Sequence, residues 1–371
     1  MNELIAILDK ITELEESQTP YQLATLVNAE GSTYRDIGAR ILVWNSSEVL
    51  GTISGGCLEG DVCTSAAKMG STDKPLLKTY DTTSEEDIYW GTGMGCGGKT
   101  TVLIDRPAES SIFLRMRLLM ELQKPFVLFT VFRSNREGLL AGRCLWDGQK
   151  SLCSSDKLVN LFDDELRSAL KSKRSSVQRL QKDDLQLEVL CEYVQSHQQL
   201  LLFGDGHDVP HVLRVVSELG WATHVISTKP SLADSGKFPT AQSVRVWENQ
   251  GESLKSILSP QVACVIMTHN FLLDKEILRL LLPSDVSYIG FLGPKKRGKR
   301  LLEEAINEGL EVSDEKIARY FSPIGLDIGA ETAGEIAVSI VAEVLSVLRQ
   351  RNGGFLKNRQ GAIHVRKATI S

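Results

Sequence analysis

The sequence predicts an α/β protein of two domains, the second of which is built on a parallel sheet. Its 371 residues are more than one ordinary hydrophobic core holds. From residue 198 onward, apolar strands alternate with helical patterns, which is typical of a parallel sheet. Before that point, short strand-like runs and two glycine-rich turns indicate a different, mixed α/β domain. We therefore expect an N-terminal α/β domain over 1–194, a Rossmann-like domain over 195–350 and a basic tail over 351–371.

The composition is that of a soluble globular protein. Hydrophobic residues make up 42% and charged residues 24% of the chain, and the net charge of −5 argues against a general binder of nucleic acid or anionic membranes. No apolar run approaches the roughly 20 residues that a membrane span needs, and the first ten residues lack the pattern of a secretory signal. Seven cysteines without metal-ligand spacing predict reduced thiols, no zinc site and a cytoplasmic location. No internal repeat is apparent.

The elements of the N-terminal domain follow from hydrophobic periodicity. An amphipathic helix opens the chain, because Leu4, Leu8 and Ile11 recur at helical spacing. Strands are predicted over 22–27, 40–44, 49–53, 76–80, 100–104, 126–132, 139–146 and 187–191, and helices over 58–69, from 111, and over 161–170. Apart from that last helix, the polar stretch 147–184 is expected to contain little regular structure.

The Rossmann-like domain alternates strands and helices more regularly. Strands are predicted over 200–203, 223–226, 263–267 and 288–291, and helices over 209–219, 275–282, 296–308 and 331–348. The last helix is expected to begin with a capping box, because Thr332 is followed three residues later by Glu335. The alternative for Glu335 is a functional role.

Two glycine-rich turns, each carrying a cysteine, are the candidate ligand pocket of the N-terminal domain. They are residues 51–59 and 91–99, and their expected ligand-contacting residues are Gly55, Gly56, Cys57, Glu59, Gly95, Cys96 and Gly97. Successive backbone N–H groups in such turns form concave anion sites, and a thiol placed there favours its thiolate form. We therefore expect an anionic, sulfur-related small molecule, with Arg40 as a further anion contact.

Of the two thiols, Cys96 is the preferred candidate. It is surrounded by glycines and lies close to Lys99, whereas Glu59 and Asp61 oppose thiolate formation at Cys57. The alternative for Cys96 is that of a small buried apolar side chain in a tight turn.

A third glycine turn opens the Rossmann-like domain. Residues 204–208, Gly-Asp-Gly-His-Asp, follow a buried strand and precede a helix, the context of a phosphate site at a helix N-terminus. The expected contacts are Gly204, Gly206, His207 and Asp208. Two parts of the dinucleotide fingerprint are missing, since Val209 stands at the third glycine position and no acidic residue follows the second strand. A tight turn kept only for packing is the alternative.

Two later strand ends are expected to converge on this loop, because ligands bind at the carboxyl edge of open α/β sheets. Thr268 and His269 follow one apolar strand, and Lys295 begins a basic cluster after the next. The cluster is suited to neutralising a phosphate. The alternatives are a structural histidine and a solvated first helical turn.

Together these motifs resemble the XdhC/CoxI family. Segments 31–40, 55–59 and 93–98 are similar to its N-terminal region, and segments 204–208, 266–270, 288–293, 325–330 and 335–343 to its C-terminal Rossmann-like region. The resemblance spans both ends of the chain and leaves about 110–195 unmarked. The chain departs from the family pattern at Tyr34, in place of proline, at Asn270, in place of aspartate, and at Thr332-Ala-Gly-Glu335.

The resemblance implies an accessory factor for xanthine dehydrogenase and related molybdenum hydroxylases. Such a protein binds molybdenum cofactor (molybdopterin), protects it during sulfuration by a cysteine desulfurase and delivers it to the apo-enzyme. It is also implied to act in the cytoplasm as a homodimer, with no turnover reaction.

The residues suit this cofactor in two places. The loop after Gly206, with Lys295, suits its phosphate, and the turns around Cys57 and Cys96 suit its pterin and metal end. Two other functions compete: an NAD(P)-dependent oxidoreductase using the Rossmann-like domain, and a redox or nucleotide sensor using Cys96.

Overall fold

A computed structural model of the chain describes residues 2–31, 33–45, 47–56, 58–70, 74–81, 98–107, 110–159, 161–195, 198–232 and 236–360. The chain divides into two compact units, which run over Met1–Ser196 with Arg359–Ser371 and over His197–Asn358. Each unit has its own buried apolar clusters.

The described residues of the first unit form two five-stranded antiparallel sheets and four helices. Sheet A consists of β1 (Tyr21–Gly31), β2 (Arg40–Trp44), β3 (Glu48–Gly51), β4 (Leu76–Asp81) and β5 (Gly98–Asp105). Sheet B consists of β6 (Phe126–Ser134), β7 (Arg143–Trp146), β8 (Ser151–Cys153), β9 (Ser176–Lys182) and β10 (Leu185–Val194). The helices are α1 (Asn2–Glu16), α2 (Glu59–Ala67), α3 (Ser110–Glu121) and α4 (Asp163–Ser172).

The two sheets repeat one arrangement. Each sheet follows a helix, α1 or α3, and each has a second helix, α2 or α4, between its third and fourth strands. The strand orders, β3-β2-β1-β5-β4 and β8-β7-β6-β10-β9, are the same position by position. We call residues 2–105 copy A and residues 110–194 copy B. The expectation of no internal repeat is therefore wrong at the level of structure, because the shared feature is topology and not a visible sequence period.

The repeat extends to the pairing register. Thr25 of β1 pairs with Arg40 of β2, and Thr130 of β6 pairs with Arg143 of β7. Two residues after each threonine the first strand is bulged, at Val27 in copy A and at Phe132 in copy B. Both bulged side chains are buried in one cluster with Leu103 of β5 and Leu190 of β10. The two copies therefore pack together through equivalent positions.

The middle of the chain is more regular than its polarity predicts. Residues 147–184 contain β8, α4 and β9, so the expectation of little structure beyond one helix is wrong. The physical reason is position, since β8 and β9 are the two edges of sheet B and β9 keeps its side chains exposed or half-buried. The strand predicted over 139–146 begins only at Arg143, because Ala141 takes a φ of 62° in the preceding turn.

The second unit is a six-stranded parallel sheet with helices on both faces. Its strands are β11 (Gln199–Phe203), β12 (Ala222–Ser227), β13 (Ser243–Val246), β14 (Val262–Ile266), β15 (Tyr288–Phe291) and β16 (Tyr320–Phe321). Its helices are α5 (Val209–Glu218), α6 (Phe271–Leu281), α7 (Lys295–Asn307), α8 (Asp314–Ile317) and α9 (Ala333–Leu348). Helices α5 and α9 pack on one face of the sheet, and α6 and α7 on the other.

The strand order of this sheet is β13-β12-β11-β14-β15-β16, with every pairing parallel. This is the order of dinucleotide-binding Rossmann folds, in which the direction of winding reverses beside the first strand. The predicted fold class is confirmed, and each of the four predicted strands is present. The two strands that were not predicted, β13 and β16, have four and two residues and only half-buried side chains.

The first unit contains a disulfide. Cys144 and Cys153 face each other across β7 and β8 and are joined through their sulfur atoms. The expectation of reduced thiols is therefore wrong for this pair, since an odd cysteine count gives no information about two residues that antiparallel pairing places opposite each other. In the described part of the chain, Cys63, Cys191 and Cys264 are free.

Candidate functional site

The winding reversal between β11 and β14 forms the crevice of the second unit. Gly204, directly after β11, has a φ of 141°, and a Cβ at this position would lie 2.5 Å from the carbonyl oxygen of Met267. Only glycine permits this approach of the loop to the end of β14. A Cβ built on Gly206 would meet the Nε2 of His269 at 3.7 Å, an ordinary contact distance. The structure thus brings Gly204, Gly206 and His269 together, as the sequence predicted.

His269 lies at the mouth of this crevice. Its backbone has a φ of 62°, a left-handed conformation that is uncommon for a residue with a side chain. Its Nε2 is 3.5 Å from the Oδ2 of Asp208, and the two side chains are 56% and 35% exposed. Asp208 is the N-cap residue of α5 and makes no side-chain capping hydrogen bond, but its backbone carbonyl accepts from the N–H groups of His211 and Val212. Pro210 has no N–H to donate. The neighbouring His207 is exposed.

Asp205 joins the glycine loop to the end of β12. Its carboxylate accepts hydrogen bonds from the Oγ of Ser227 at 2.7 Å and the Nζ of Lys229 at 2.8 Å, and Lys237 donates to its backbone carbonyl at 2.6 Å. Burial raises the pKa of Asp205, but Lys229 and Ser227 outweigh it and hold the pKa below the ordinary value. Sequence reasoning missed this cluster, because the lysines lie in a polar loop without a motif.

A buried carboxylate supports the segment after β14. Asp274 of α6 is 1% exposed and accepts hydrogen bonds from the Oγ1 of Thr268 and from the guanidinium of Arg297, the latter at 2.6 Å. Burial raises the pKa of Asp274, although both partners oppose the rise. Thr268 is therefore held by the helix behind it.

Asn270 has a structural role next to this carboxylate. Its side chain caps α6 by accepting hydrogen bonds from the N–H groups of Leu272 and Leu273. The family resemblance leads to aspartate at this position, and asparagine provides the same capping oxygen without the negative charge.

The basic cluster at the start of α7 divides into two kinds of side chain. Arg297, Lys299 and Arg300 make ion pairs with carboxylates of α6 and α7, namely Asp274, Glu303 and Glu304. Lys295 and Lys296 are exposed, and no ion pair joins either to another residue that the structure describes. Lys295 is thus available to an incoming anion.

The predicted capping box of α9 is confirmed. Thr332 accepts a hydrogen bond from the N–H of Glu335, whose carboxylate accepts one from the N–H of Thr332. These reciprocal contacts give Glu335 the structural role that its spacing indicated.

In the first unit, the first glycine turn folds around its own carboxylate. Glu59 accepts hydrogen bonds from the Oγ1 of Thr52 and the Oγ of Ser54, and from five backbone N–H groups. The N–H donors are those of Ile53, Ser54, Gly55, Gly56 and Leu58, at 2.8–3.1 Å. Burial raises the pKa of Glu59, but the hydrogen bonds from Ser54 and Thr52 outweigh it and lower the pKa to about 2. The predicted concave anion site of backbone N–H groups, which we call the nest, is present. The carboxylate of Glu59 occupies it.

The glycines of this turn are needed for its shape. Gly55 and Gly56 have φ values of 78° and 120°. A Cβ on Gly55 would lie 2.7 Å from the ring of Tyr34, which is 68% exposed and stands where the family resemblance leads to proline. The tyrosine therefore covers the turn from outside.

Arg40 is buried and fully engaged. Its guanidinium donates to Glu192 at 2.5 Å and to the carbonyl of Gly38 at 2.7 Å, and the arginine and glutamate side chains are each 6% exposed. Copy B contains the equivalent contact, in which Arg143 donates to Asp105 at 2.7 and 2.8 Å and to the carbonyl of Ala141. These arginines bind carboxylates of the opposite copy, and we leave Arg40 out of the proposed ligand site.

Four of the predicted contacts, Cys57, Gly95, Cys96 and Gly97, lie outside the described residues, and their roles stay predictions. In the described ranges, no group of three or more His, Cys, Asp or Glu side chains is arranged to hold a metal ion. None of the helices in those ranges combines the length and apolar character that crossing a bilayer requires.

Comparison with known proteins matches both ends of the chain to family models. Residues 200–344 match the XdhC Rossmann domain, and residues 14–81 match the XdhC and CoxI family. A probable xanthine dehydrogenase subunit of Bacillus subtilis is 28% identical over 94% of this chain and 99% of its own length. The molybdenum cofactor insertion chaperone PaoD of Escherichia coli is 19% identical over 88% of this chain and 82% of its own.

A solved structure shares the fold over almost the whole length. It is a protein of Bacillus halodurans described as a xanthine dehydrogenase, with a TM-score of 0.74 and 28% identity, and the match covers 94% of this chain and 96% of that one. Two family models in the expected order and full-length relatives agree with the motifs described above. The chain belongs to the XdhC and CoxI family.

Proposed function

We propose that this protein is an accessory factor that binds molybdenum cofactor transiently and delivers it to a molybdenum hydroxylase of the xanthine dehydrogenase type. The observation that carries the proposal is the similarity of nearly the whole chain to a molybdenum cofactor insertion chaperone and to a probable xanthine dehydrogenase subunit. Both units are included in that similarity. The protein then acts by holding and transferring a ligand, without a turnover reaction of its own.

The crevice of the second unit suits the phosphate of the cofactor. An anion is stabilised at a helix N-terminus, and the side chain of Asp208 makes no capping hydrogen bond at that of α5. The 3.7 Å between a Cβ on Gly206 and His269 leaves the glycine backbone approachable. Backbone N–H groups of this loop and the side chains of His207 and His269 would hold the phosphate, with Lys295 as an exposed counter-charge.

The glycine turns of the first unit are a second candidate contact for the cofactor, because their glycines and thiols suit its pterin and metal end. When bound, the cofactor supplies the molybdenum centre that the client enzyme later uses. Cys96, between Gly95 and Gly97, is the proposed thiol contact, and Cys57 is the secondary one. Glu59 accepts hydrogen bonds from the N–H groups of Gly55 and Gly56, so these groups are not open to a ligand. We therefore propose that the ligand contacts the outer surface of this turn.

The partners follow from this role. We propose the apo form of a molybdenum hydroxylase as the recipient, a cysteine desulfurase as the source of the sulfur added to the cofactor, and a second copy of the chain as a homodimer partner, all in the cytoplasm.

An NAD(P)-dependent oxidoreductase is the second candidate, and the Rossmann strand order favours it. In nucleotide-binding members of that fold, an acidic residue after the second strand binds the ribose hydroxyls. Here that strand ends at Ser227, which donates to Asp205 from the glycine loop, and Lys229 completes the cluster. Groups of the protein itself therefore pair with each other where an acidic residue would bind the ribose. For this reason we rank the oxidoreductase below the cofactor carrier.

Anaerobic equilibrium binding of isolated molybdenum cofactor tests the proposal, with NAD as a parallel ligand. We expect near-stoichiometric retention by the wild type and weaker retention by Cys96→Ala and His269→Ala. Cys63→Ala is the matched control, because Cys63 is a half-buried free thiol in α2. Failure of the wild type to retain cofactor, together with micromolar NAD binding, would overturn the proposal in favour of the oxidoreductase.

A further inference from the structure

Copy B contains an open cavity that no part of the proposed function uses. Its volume is about 770 Å³, within the range of small-molecule sites. It lies at the end of sheet B where β9 and β10 meet, and its lining comes from β6, β9 and β10 with Leu140 and, from copy A, Leu77.

The cavity lies beside a connection that differs in length between the two copies. In copy B, β9 and β10 are joined by Asp183 and Asp184 alone, and Asp183 has a φ of 51°. Asn135 fastens this turn, since its side chain donates to the carbonyl of Asp184 and accepts from the N–H of Gln186. In copy A, the equivalent connection between β4 and β5 is residues 82–97, whose sequence contains the second glycine turn. The turn of copy B is thus much shorter than the connection of copy A.

A row of charges crosses this open end. Arg133 of β6, Glu188 of β10 and Arg179 of β9 are neighbours in register, and Glu188 accepts from each arginine at 3.0 Å. Each guanidinium uses one nitrogen for this contact. Two arginines and one glutamate leave a single positive charge in excess, and the arginine side chains are 54% and 81% exposed. A further anion is therefore attracted to the row.

The rest of the lining is apolar or carries amides. Phe132, Leu77 and Leu140 provide apolar surface, and Gln181 and Gln186 form a register pair two positions beyond the charged row. Side-chain amides both donate and accept hydrogen bonds, which matches the alternating edge groups of nitrogen heterocycles. The planes of arginine guanidinium groups stack on the faces of such rings.

We propose that this cavity binds a flat anionic heterocycle of the pterin or purine class, with the acidic group on Arg133 and Arg179. The inference goes beyond cofactor delivery, because no residue of this cavity belongs to the proposed cofactor site. The shared chemistry is a ring with amide-like edges and a carboxylate or phosphate.

Binding of 6-carboxypterin and of guanosine 5′-monophosphate to the full-length protein tests the proposal, by fluorescence and calorimetry. We expect saturable binding of one or both, weakened about tenfold by Arg133→Gln or Arg179→Gln, since each removes a charge-assisted contact. Glu188→Gln is expected to tighten binding several-fold, because it removes the carboxylate that competes for both arginines. The opposite signs separate a binding site from a general loss of structure.

Arg300→Gln is the matched control, because Arg300 is an exposed arginine paired with Glu304 in the second unit. Tighter binding of 6-carboxypterin assigns the site to pterins, and tighter binding of the nucleotide assigns it to purines. The proposal is overturned when neither probe saturates the wild type at millimolar concentration, or when the Arg300 variant loses as much affinity as the Arg133 variant. Retention of molybdenum cofactor by Arg133→Gln, expected to equal that of the wild type, separates this cavity from the cofactor site of the proposed function.

Discussion

At the scale of single residues, Glu59 organises the first glycine turn. Its carboxylate receives two hydroxyl and five backbone donors, an arrangement typical of a bound anion. The sequence predicted both the nest and its preference for negative charge. It did not predict the occupant, because whether a neighbouring side chain folds back into a turn depends on the backbone path between Ser54 and Glu59.

We expect Glu59→Gln to destabilise the first unit by about 1–3 kcal/mol at pH 7, the cost of weakening a charged acceptor with several donors. The pKa of Glu59 is lowered from 4.5 to about 2, so its charge stabilises the fold fully above pH 4.5. That stabilisation is lost as the pH falls from 4.5 through 2. Urea unfolding of wild type and variant at pH 7 and pH 3 measures the difference.

The difference in unfolding free energy between the two proteins is expected to shrink at the lower pH. Glu13→Gln serves as the control, since the Glu13 side chain is 66% exposed and pairs with Lys10 of the same helix. A difference that stays constant between pH 7 and pH 3 contradicts the assigned role of the charge.

At the scale of elements, the burial of an element decides whether the sequence predicts it. The helices α5 and α9 and the strands β11 and β14 were predicted closely, because each repeats its apolar pattern and is buried on the core side. The edge strands β8 and β9 were missed, because an edge strand buries too few side chains to show the alternation. Tertiary pairing, not local preference, makes them strands.

Packing between elements also constrains glycines inside helices. Gly298 of α7 lies against the segment after β16, and a Cβ there would overlap the Oγ of Ser322 and lie 2.7 Å from its Cβ. A Cβ on Gly334, in the first turn of α9, would meet no atom of the described residues within 4 Å. Both glycines are helical, but Gly298 is tightly packed and Gly334 has open space beside it.

Gly298→Ala is therefore expected to destabilise the second unit, although alanine favours helix by about 1 kcal/mol over glycine. Gly334→Ala is expected to stabilise it by up to about 1 kcal/mol. Thermal unfolding of the two variants, compared with wild type, tests both. Equal shifts in the same direction would show that helix preference and not the contact with Ser322 decides.

At the scale of the whole molecule, the repeat in the first unit is held by two reciprocal ion pairs. Arg40 of copy A meets Glu192 of copy B, and Arg143 of copy B meets Asp105 of copy A. All four side chains are at most 6% exposed. A lone charge in such a position is costly, whereas an apolar pair of similar size is tolerated.

We expect Arg40→Met alone to destabilise the first unit by about 3–5 kcal/mol, because it leaves Glu192 buried and unpaired. The double variant Arg40→Met with Glu192→Met is expected to recover most of that loss. A double-mutant cycle in urea measures the coupling, with the exposed Lys10–Glu13 pair as a control expected to couple by less than about 1 kcal/mol. Losses that simply add would contradict the pairing.

The candidate site was predictable where a motif lies within one strand and its following loop. Gly204, Gly206 and His269 were found this way, since the carboxyl edge of a parallel sheet collects its loops. The partner of Arg40 was not, because Glu192 is 152 residues away and only the packing of two copies places it there. The lysines around Asp205 were missed for the same reason, since only the folded sheet brings their loop to the glycine turn.

The unequal connections of the two copies have an evolutionary consequence. A doubled motif within one chain allows one copy to carry a long connection while the strands of both copies stay paired. Copy B joins its last two strands through Asp183 and Asp184 alone. Copy A, with residues 82–97 between paired strands, is free to vary in chemistry while its twin keeps the scaffold intact. Insertions and substitutions among relatives should then concentrate in the connection of copy A.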